Sequence, residues 1–224
     1  MNDLLREIFE TKQVINAGGQ ALPLHSHIPP FEGQVLQTWI AERRPRRLLE
    51  IGFAYGISAL FVCEAIESFE PVSHDIIDPS ERTDWQSVGT LNLERAGYAG
   101  RYTWHEQPSE ICLPHMLAQG KQIDFALIDG FHTFDHTLVD FFYVNRMLAV
   151  GGIVIIDDIE LPAIRKVAAF VNTYECYEPL ALPESLLNSV KARARSMLNL
   201  PPSRLVGFTK VALDKRGWDW YRDF

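Results

Sequence analysis

Apolar runs of strand length alternate with helix-like segments along most of this chain, and the runs close on acids. Leu48 to Ile51, Val72 to Ile77, Arg101 to Trp104, Ile123 to Ile128 and Ile153 to Ile156 read as strands. Helical spacing fills the gaps: residues 59–69, 85–96, a helix capped by Ser109 with Leu113, Met116 and Leu117 on its apolar side, a helix through Phe134, Leu138, Phe141 and Leu148, and another from Pro162 to Val171. Such alternation predicts an α/β fold built on a doubly wound, mostly parallel sheet with helices on both faces. The unbroken run Ile153 to Ile156 fits a strand covered on both sides. Ligands of such sheets bind beyond the carboxyl ends of the strands. Glu50, Asp78, Asp129, Asp157 and Asp158 are expected to gather there.

The turn after the first of these strands, Gly52 to Gly56, leads into a helix opened by Ser58. Its Gly-x-x-x-Gly spacing is not the Gly-x-Gly-x-x-Gly of dinucleotide-binding turns. Glycines allow a sharp turn and a close approach to the backbone. A helix start offers free N–H groups to an anion. With Glu50 nearby, the turn suits a zwitterion: a carboxylate at the amides and Ser58, an ammonium on the acidic side. Asp78, closing the second strand, is the candidate for two ribose hydroxyls; Asp75 competes but lies inside the strand pattern.

Before this region, residues 3–16 read as an amphipathic helix ended by Ala17-Gly18-Gly19, followed by a Pro- and His-rich loop holding His25 and His27. Another helix is expected over Gly33 to Ala41. Past residue 172, strands are expected at Tyr174 to Leu180 and Leu205 to Leu213, with an amphipathic helix between at Pro183 to Leu198 bearing Lys191, Arg193 and Arg195. The aromatic tail Trp218-Asp219-Trp220-Tyr221 is expected to pack against the domain. Residues 1–224 are thus read as a single domain: 1–45 a helical lid segment, 46–172 the core and 173–224 the C-terminal strands with their helical insert.

A net charge of −8 argues against a binder of nucleic acid. No apolar stretch approaches a membrane span, the first residues do not resemble a signal peptide, and Cys63, Cys112 and Cys176 form no disulfide or zinc pattern. These features fit a cytoplasmic protein that binds neither nucleic acid nor membrane. The basic run Arg43, Arg44, Arg46 and Arg47 reads as a solvated loop.

Glu50-x-Gly52-x-x-x-Gly56-x-Ser58 resembles the first motif of the class I S-adenosylmethionine-dependent methyltransferases. Phe31-Glu32-Gly33-Gln34, Asp78-Pro79, Ser109 with Leu113-Pro114, Asp129-x-x-His132 and Asp157-Asp158 extend the likeness to the cation-dependent O-methyltransferases of the catechol and caffeoyl-CoA type. Asp129-Gly130-x-His132 with Gly151-Gly152 is closer still to a bacterial group around the macrocin O-methyltransferases. The resemblance implies a Rossmann-like sheet of about seven strands whose last strand is antiparallel. It also implies O-methylation of a small-molecule hydroxyl. Glu50, Gly52, Tyr55, Gly56, Ser58, Asp78, Gln107, Ser109 and Asp129 would then serve S-adenosyl-L-methionine; Gln107 stands where the catechol enzymes have glycine.

Asp129, Asp157 and Asp158 fall where this family ligates a divalent cation. Carboxylates on adjacent strand ends repel one another without a cation, and an all-oxygen set favours magnesium, manganese or calcium over zinc. Magnesium there would lower the hydroxyl pKa and fix the oxyanion. The family's catalytic lysine is replaced by His132, a competent base near neutral pH, which would share the catalytic role with Asp129; a fourth metal ligand and a structural role are its other readings. His136, one turn beyond, reads as a surface or supporting residue. The alternatives are a metal-independent N- or O-methyltransferase using His132 alone, and a nicotinamide-dependent oxidoreductase or nucleotide-binding module on the same sheet. Sugar, phenol and antibiotic-precursor acceptors all remain open, with residues 2–30 and 180–200 expected to contact the acceptor. A homodimer is the default expectation.

Overall fold

Seven strands form one sheet in the order β5-β4-β3-β6-β7-β9-β8 in the computed structural model, which describes residues 1–69, 73–187, 189, 193, 195, 197, 198 and 200–224. The strands are β3 (Arg47–Ile51), β4 (Ser73–Ile77), β5 (Thr103–His105), β6 (Ile123–Ile128), β7 (Leu148–Ile156), β8 (Tyr177–Leu180) and β9 (Val206–Lys210). β5, β4, β3, β6 and β7 pair in parallel; β9 runs antiparallel to both β7 and β8. The expected mostly parallel sheet of seven strands, with its antiparallel last strand, is what forms.

Side chains alternate between two buried layers, as the two-residue period of a strand requires. Leu48, Phe125, Leu127, Ile153 and Ile155 face one core with α1 (Asp3–Thr11), α2 (Pro30–Arg43), α3 (Ile57–Ile66) and α4 (Val88–Arg95). Leu49, Ile51, Ala126, Ile128, Val154 and Ile156 face the other with α5 (Ser109–Ala118), α6 (Phe134–Met147) and α7 (Pro162–Val171). Two covered faces explain why these strands carry unbroken apolar runs.

The flanks depart from the expected elements. The N-terminal helix stops at Thr11, because Lys12 adopts a left-handed conformation and its N–H closes onto Ile8. Residues 13–15, expected to extend it, instead form β1 (Gln13–Ile15), which pairs in a hairpin with β2 (Ala21–Pro23). Asn16 Oδ1 holds that turn by accepting from the amides of Gly18 and Gln20. α4 starts three residues late, after Gln86 and Ser87 take positive φ. α5 is opened by Pro108 rather than Ser109. Of the helix expected over 183–198, α8 (Glu184–Leu187) is described, while Lys191, like Val72 of the second strand, lies outside the described residues. Cys63, Cys112 and Cys176 are free and buried. In the tail, Trp220 packs on Phe170 and Tyr174, while Trp218 is 98% exposed. Among the described residues no helix is long and apolar enough to cross a membrane.

Candidate active site

The sheet's hydrogen bonds run one rung past the strands, and that rung builds the site. Asp78 N–H donates to His105 O (3.2 Å), Gly52 N–H to Ile77 O (2.9 Å), Asp129 N–H to Ile51 O (2.8 Å) and Asp157 N–H to Ile128 O (3.1 Å). Each donor is the first residue after its strand, so backbone geometry sets these residues in a row at the carboxyl edge. Adjacent strands lie about 4.8 Å apart, which brings Asp129 and Asp157 together at the ends of β6 and β7.

Gly52 has φ of +96°, and a Cβ there would lie 2.0 Å from the carbonyl oxygen of Asp129. The glycine therefore lets the β3 and β6 ends touch, in addition to turning the chain. The turn is gripped from below by Asp78: its Oδ2 accepts from Phe53 N–H (2.9 Å) and Ala54 N–H (3.1 Å), and its Oδ1 from Ser80 N–H (2.7 Å). Gly56, with φ of +73°, ends the turn and starts α3 without a side-chain cap. The first amides of α3 are thus left for an anion, with Ile57 and Ser58 on the wall of a cavity of about 610 Å³.

That cavity takes in Gly52, Ser58, Asp78, Ser109, Asp129, His132, Asp157 and Asp158 of the expected residues. Four others stand apart from its lining. Glu50 is fully buried one layer inside the sheet, where its Oε1 meets His74 Nε2. It lies two residues before Gly52 and on the Leu48 side of the strand, so it does not reach the edge. Tyr55 turns its hydroxyl to His25 Nε2 (3.0 Å) and its ring edge to Trp85. Gly56 contributes backbone only, and Gln107 is exposed, with Pro108 and Ser109 forming that wall instead. Asp75, the rival for the ribose, is bound by His105 and Lys121.

Other lining residues gave weaker sequence signals. Trp85, Ser80 and Asp84 follow the second strand. His27, from the Pro- and His-rich loop, reaches the cavity with its Nδ1 buried and without a partner among the described residues. His136 also lines it, rather than facing solvent, and packs on Phe131 at 5.0 Å between ring centroids. Arg204 had no signal at all. It precedes β9, whose antiparallel register with β7 (Ile156 opposite Val206) carries it level with Asp158.

Arg204 changes the electrostatics of the acid cluster. Its Nε donates to Asp158 Oδ1 at 2.7 Å, its Nη2 bonds the same oxygen, and Nη2 lies 3.9 Å from Asp157 Oδ2. Burial pushes Asp157 up to about 6, with the Asp158 charge adding to the effect. Burial, then Asp157 and Asp158, hold Asp129 well above the usual carboxylate range. His132 Nε2 sits 3.5 Å from Asp158 Oδ2 and 3.7 Å from Asp129 Oδ1. Burial lowers its pKa despite the Asp158 charge, so the ring is neutral near neutral pH.

The divalent cation expected between Asp129, Asp157 and Asp158 does not fit this arrangement. Magnesium requires near-octahedral oxygen ligands. Here one oxygen of Asp158 is taken by two guanidinium N–H groups, and among the described residues no three His, Cys, Asp or Glu side chains are placed so that they could hold a metal ion.

A seven-stranded sheet of this order, with a cavity at its carboxyl edge, is a Rossmann-like fold. Solved structures share it. The O-methyltransferase of Bacillus cereus, in complex with S-adenosylhomocysteine, is 17% identical with a TM-score of 0.68, covering 94% of this chain and 92% of that one. The S-adenosylhomocysteine-bound methyltransferase PaMTH1 of Podospora anserina is 16% identical with a TM-score of 0.69, covering 94% and 88%. TomG of Streptomyces achromogenes, an O-methyltransferase of tomaymycin synthesis solved with S-adenosylmethionine, is 16% identical with a TM-score of 0.64, covering 93% and 88%. A search of curated protein sequences finds no match. Residues 49–159 match the family described as a methyltransferase domain. The chain is a class I S-adenosylmethionine-dependent methyltransferase.

Proposed function

We propose that this methyltransferase acts on a hydroxyl oxygen of a small-molecule acceptor, with His132 as the proton acceptor. The observation that carries the reading is the sharing of one cavity by the open start of α3, Asp78 and His132. S-Adenosylmethionine, when bound, supplies an electrophilic methyl group on a positively charged sulfur. The amides opening α3 and the Ser58 hydroxyl would bind its carboxylate. Asp78, 6% exposed, keeps about one of its four lone-pair sites for a ribose hydroxyl beyond the three amides it holds. Ile77, Trp85 and Pro108 give the adenine apolar walls.

His132 Nε2 would take the proton of the acceptor hydroxyl, whose oxygen the bound cofactor would methylate at the expense of its own carbon–sulfur bond. The neutral ring accepts the proton, and the Asp158 carboxylate beside it favours the imidazolium that results. Positioning by the rigid strand ends supplies much of the remaining rate.

Calorimetric titration with S-adenosylhomocysteine, followed by methyl transfer from labelled donor to a panel of sugars and phenols, tests this. His132→Gln should keep S-adenosylhomocysteine binding and lose about 10²–10⁴-fold in turnover. Absence of S-adenosylhomocysteine binding to the wild type would overturn the proposal, as would full turnover in the variant.

A further inference from the structure

We propose that Arg204 takes the part that resemblance gives to a divalent cation: it sets a positive charge beside Asp157 and Asp158, keeps metal ions out, and offers Nη1 to the oxygen being methylated. The last clause rests on the methyl-transfer reading above; the first two stand without it.

Arg204 is fastened from both sides of its own backbone. Its N–H donates to Glu32 Oε1 (2.9 Å), and its carbonyl accepts from Ile159 N–H (3.0 Å). Glu32 belongs to α2, is 1% exposed, and holds Ser203 Oγ with its other oxygen. The side chain then reaches Asp158 through Nε and Nη2 together. This tethering from α2 and from the residues after β7 fixes the guanidinium over the carboxylates, so a metal ion would have to displace an anchored group.

Charge and chemistry fit the substitution. The guanidinium stays protonated at any physiological pH and is less strongly hydrated than a metal ion. Among the described residues neither of its bonds to Asp158 uses Nη1, and the side chain lines the cavity that holds His132. Nη1 is the donor available to an acceptor oxygen as it loses its proton. The arrangement favours acceptors whose reacting oxygen develops negative charge, such as phenols and enols, and it needs no second oxygen to complete a chelate. Asp157 Oδ1 is buried without a partner among the described residues.

The test is binding of Mn²⁺, followed by electron paramagnetic resonance of the free ion, to wild type and Arg204→Ala, each saturated with S-adenosylhomocysteine. Wild type should take up no Mn²⁺ at stoichiometric concentrations, whereas the variant, with its carboxylates bare, should bind about one ion at least tenfold more tightly. Stoichiometric binding by wild type that Asp158→Asn abolishes would overturn the proposal. So would failure of a folded Arg204→Ala to bind the ion, since Arg204 would then not be what excludes it. Should that variant unfold, Arg204→Met keeps the bulk without the charge and is read in the same way. The wild-type calorimetric titration with S-adenosylhomocysteine, run in EDTA and in magnesium, separates the two readings. Equal binding in both supports the proposal, and binding only with magnesium overturns it. No binding in either refutes the methyl-transfer reading, while the Mn²⁺ result still decides the role of Arg204.

Discussion

Replacing Asp78 with alanine removes an acceptor shared by three backbone amides, those of Phe53, Ala54 and Ser80. Hydrogen bonds to a charged group are worth about 1.5–3 kcal/mol each, and donors left open to the cavity recover part of that from water. A net loss of about 3–5 kcal/mol follows. A chain of this size loses about 2–4 °C of Tm per kcal/mol, so Asp78→Ala should lower Tm by about 10 °C. Asp78→Asn keeps one acceptor oxygen and should fall between the variant and wild type. Thermal unfolding with and without S-adenosylhomocysteine is the assay: wild type should be stabilised by the ligand, and both variants should lose most of that stabilisation. A Tm within about 2 °C of wild type for Asp78→Ala would refute the claim that this carboxylate holds the glycine turn.

Three further substitutions test other parts of the fold. Gly52→Ala puts a Cβ 2.0 Å from the Asp129 carbonyl at a φ of +96° and should cost about 3 kcal/mol or more in urea unfolding; a loss under about 1 kcal/mol would show that the two strand ends are not in contact. Glu81 is fully buried, and burial, then the Asp78 charge, pushes it up to about 8, so the fold resists its ionisation. Its stability contribution is intact below the ordinary carboxylate range and is lost as pH rises toward 8; Glu81→Gln should match wild type near pH 4 and exceed it by at least about 2 kcal/mol at pH 9, and equal pH profiles would refute this. Asp214 is held down at about 2, chiefly by its bond to Arg216. That contribution is present above the ordinary carboxylate pKa and is lost as pH falls toward 2, so Asp214→Asn should be less stable by about 1–2 kcal/mol at pH 7 and converge with wild type at the acid end.

What the chain spells out locally was legible. Ile123 to Ile128 and Ile153 to Ile156 carry their strand character in consecutive residues, and the acids that follow them mark the carboxyl edge. Glu50 was misplaced although the information was local: it stands inside β3 on the Leu48 face, and alternation sends it beneath α2 and α3 toward His74. The N-terminal hairpin hid because Val14 and Ile15 also suit a helix, and only the left-handed Lys12 and the Asn16 turn separate the two. Arg204 was illegible for a different reason. Its partner is 46 residues away, and only the antiparallel register of β7 and β9 brings them level. Nothing in its own neighbourhood distinguishes it from any arginine ahead of a strand.

The position of β9 also bears on how the molecule is assembled. This strand is the last in the chain yet lies inside the sheet, between β7 and β8. Chains emerge from synthesis amino end first, so the strand ends bearing Asp129, Asp157 and Asp158 exist before the residue that brings a positive charge to them. Glu32 waits still longer, since its partners Ser203 and Arg204 lie 171 and 172 residues downstream. Closing such distant contacts is slow relative to local pairing. Insertion of β9 therefore joins β7 to β8, satisfies a buried carboxylate on α2 and brings a positive charge to the acidic edge in one step, so the site acquires that charge only once β9 is in place.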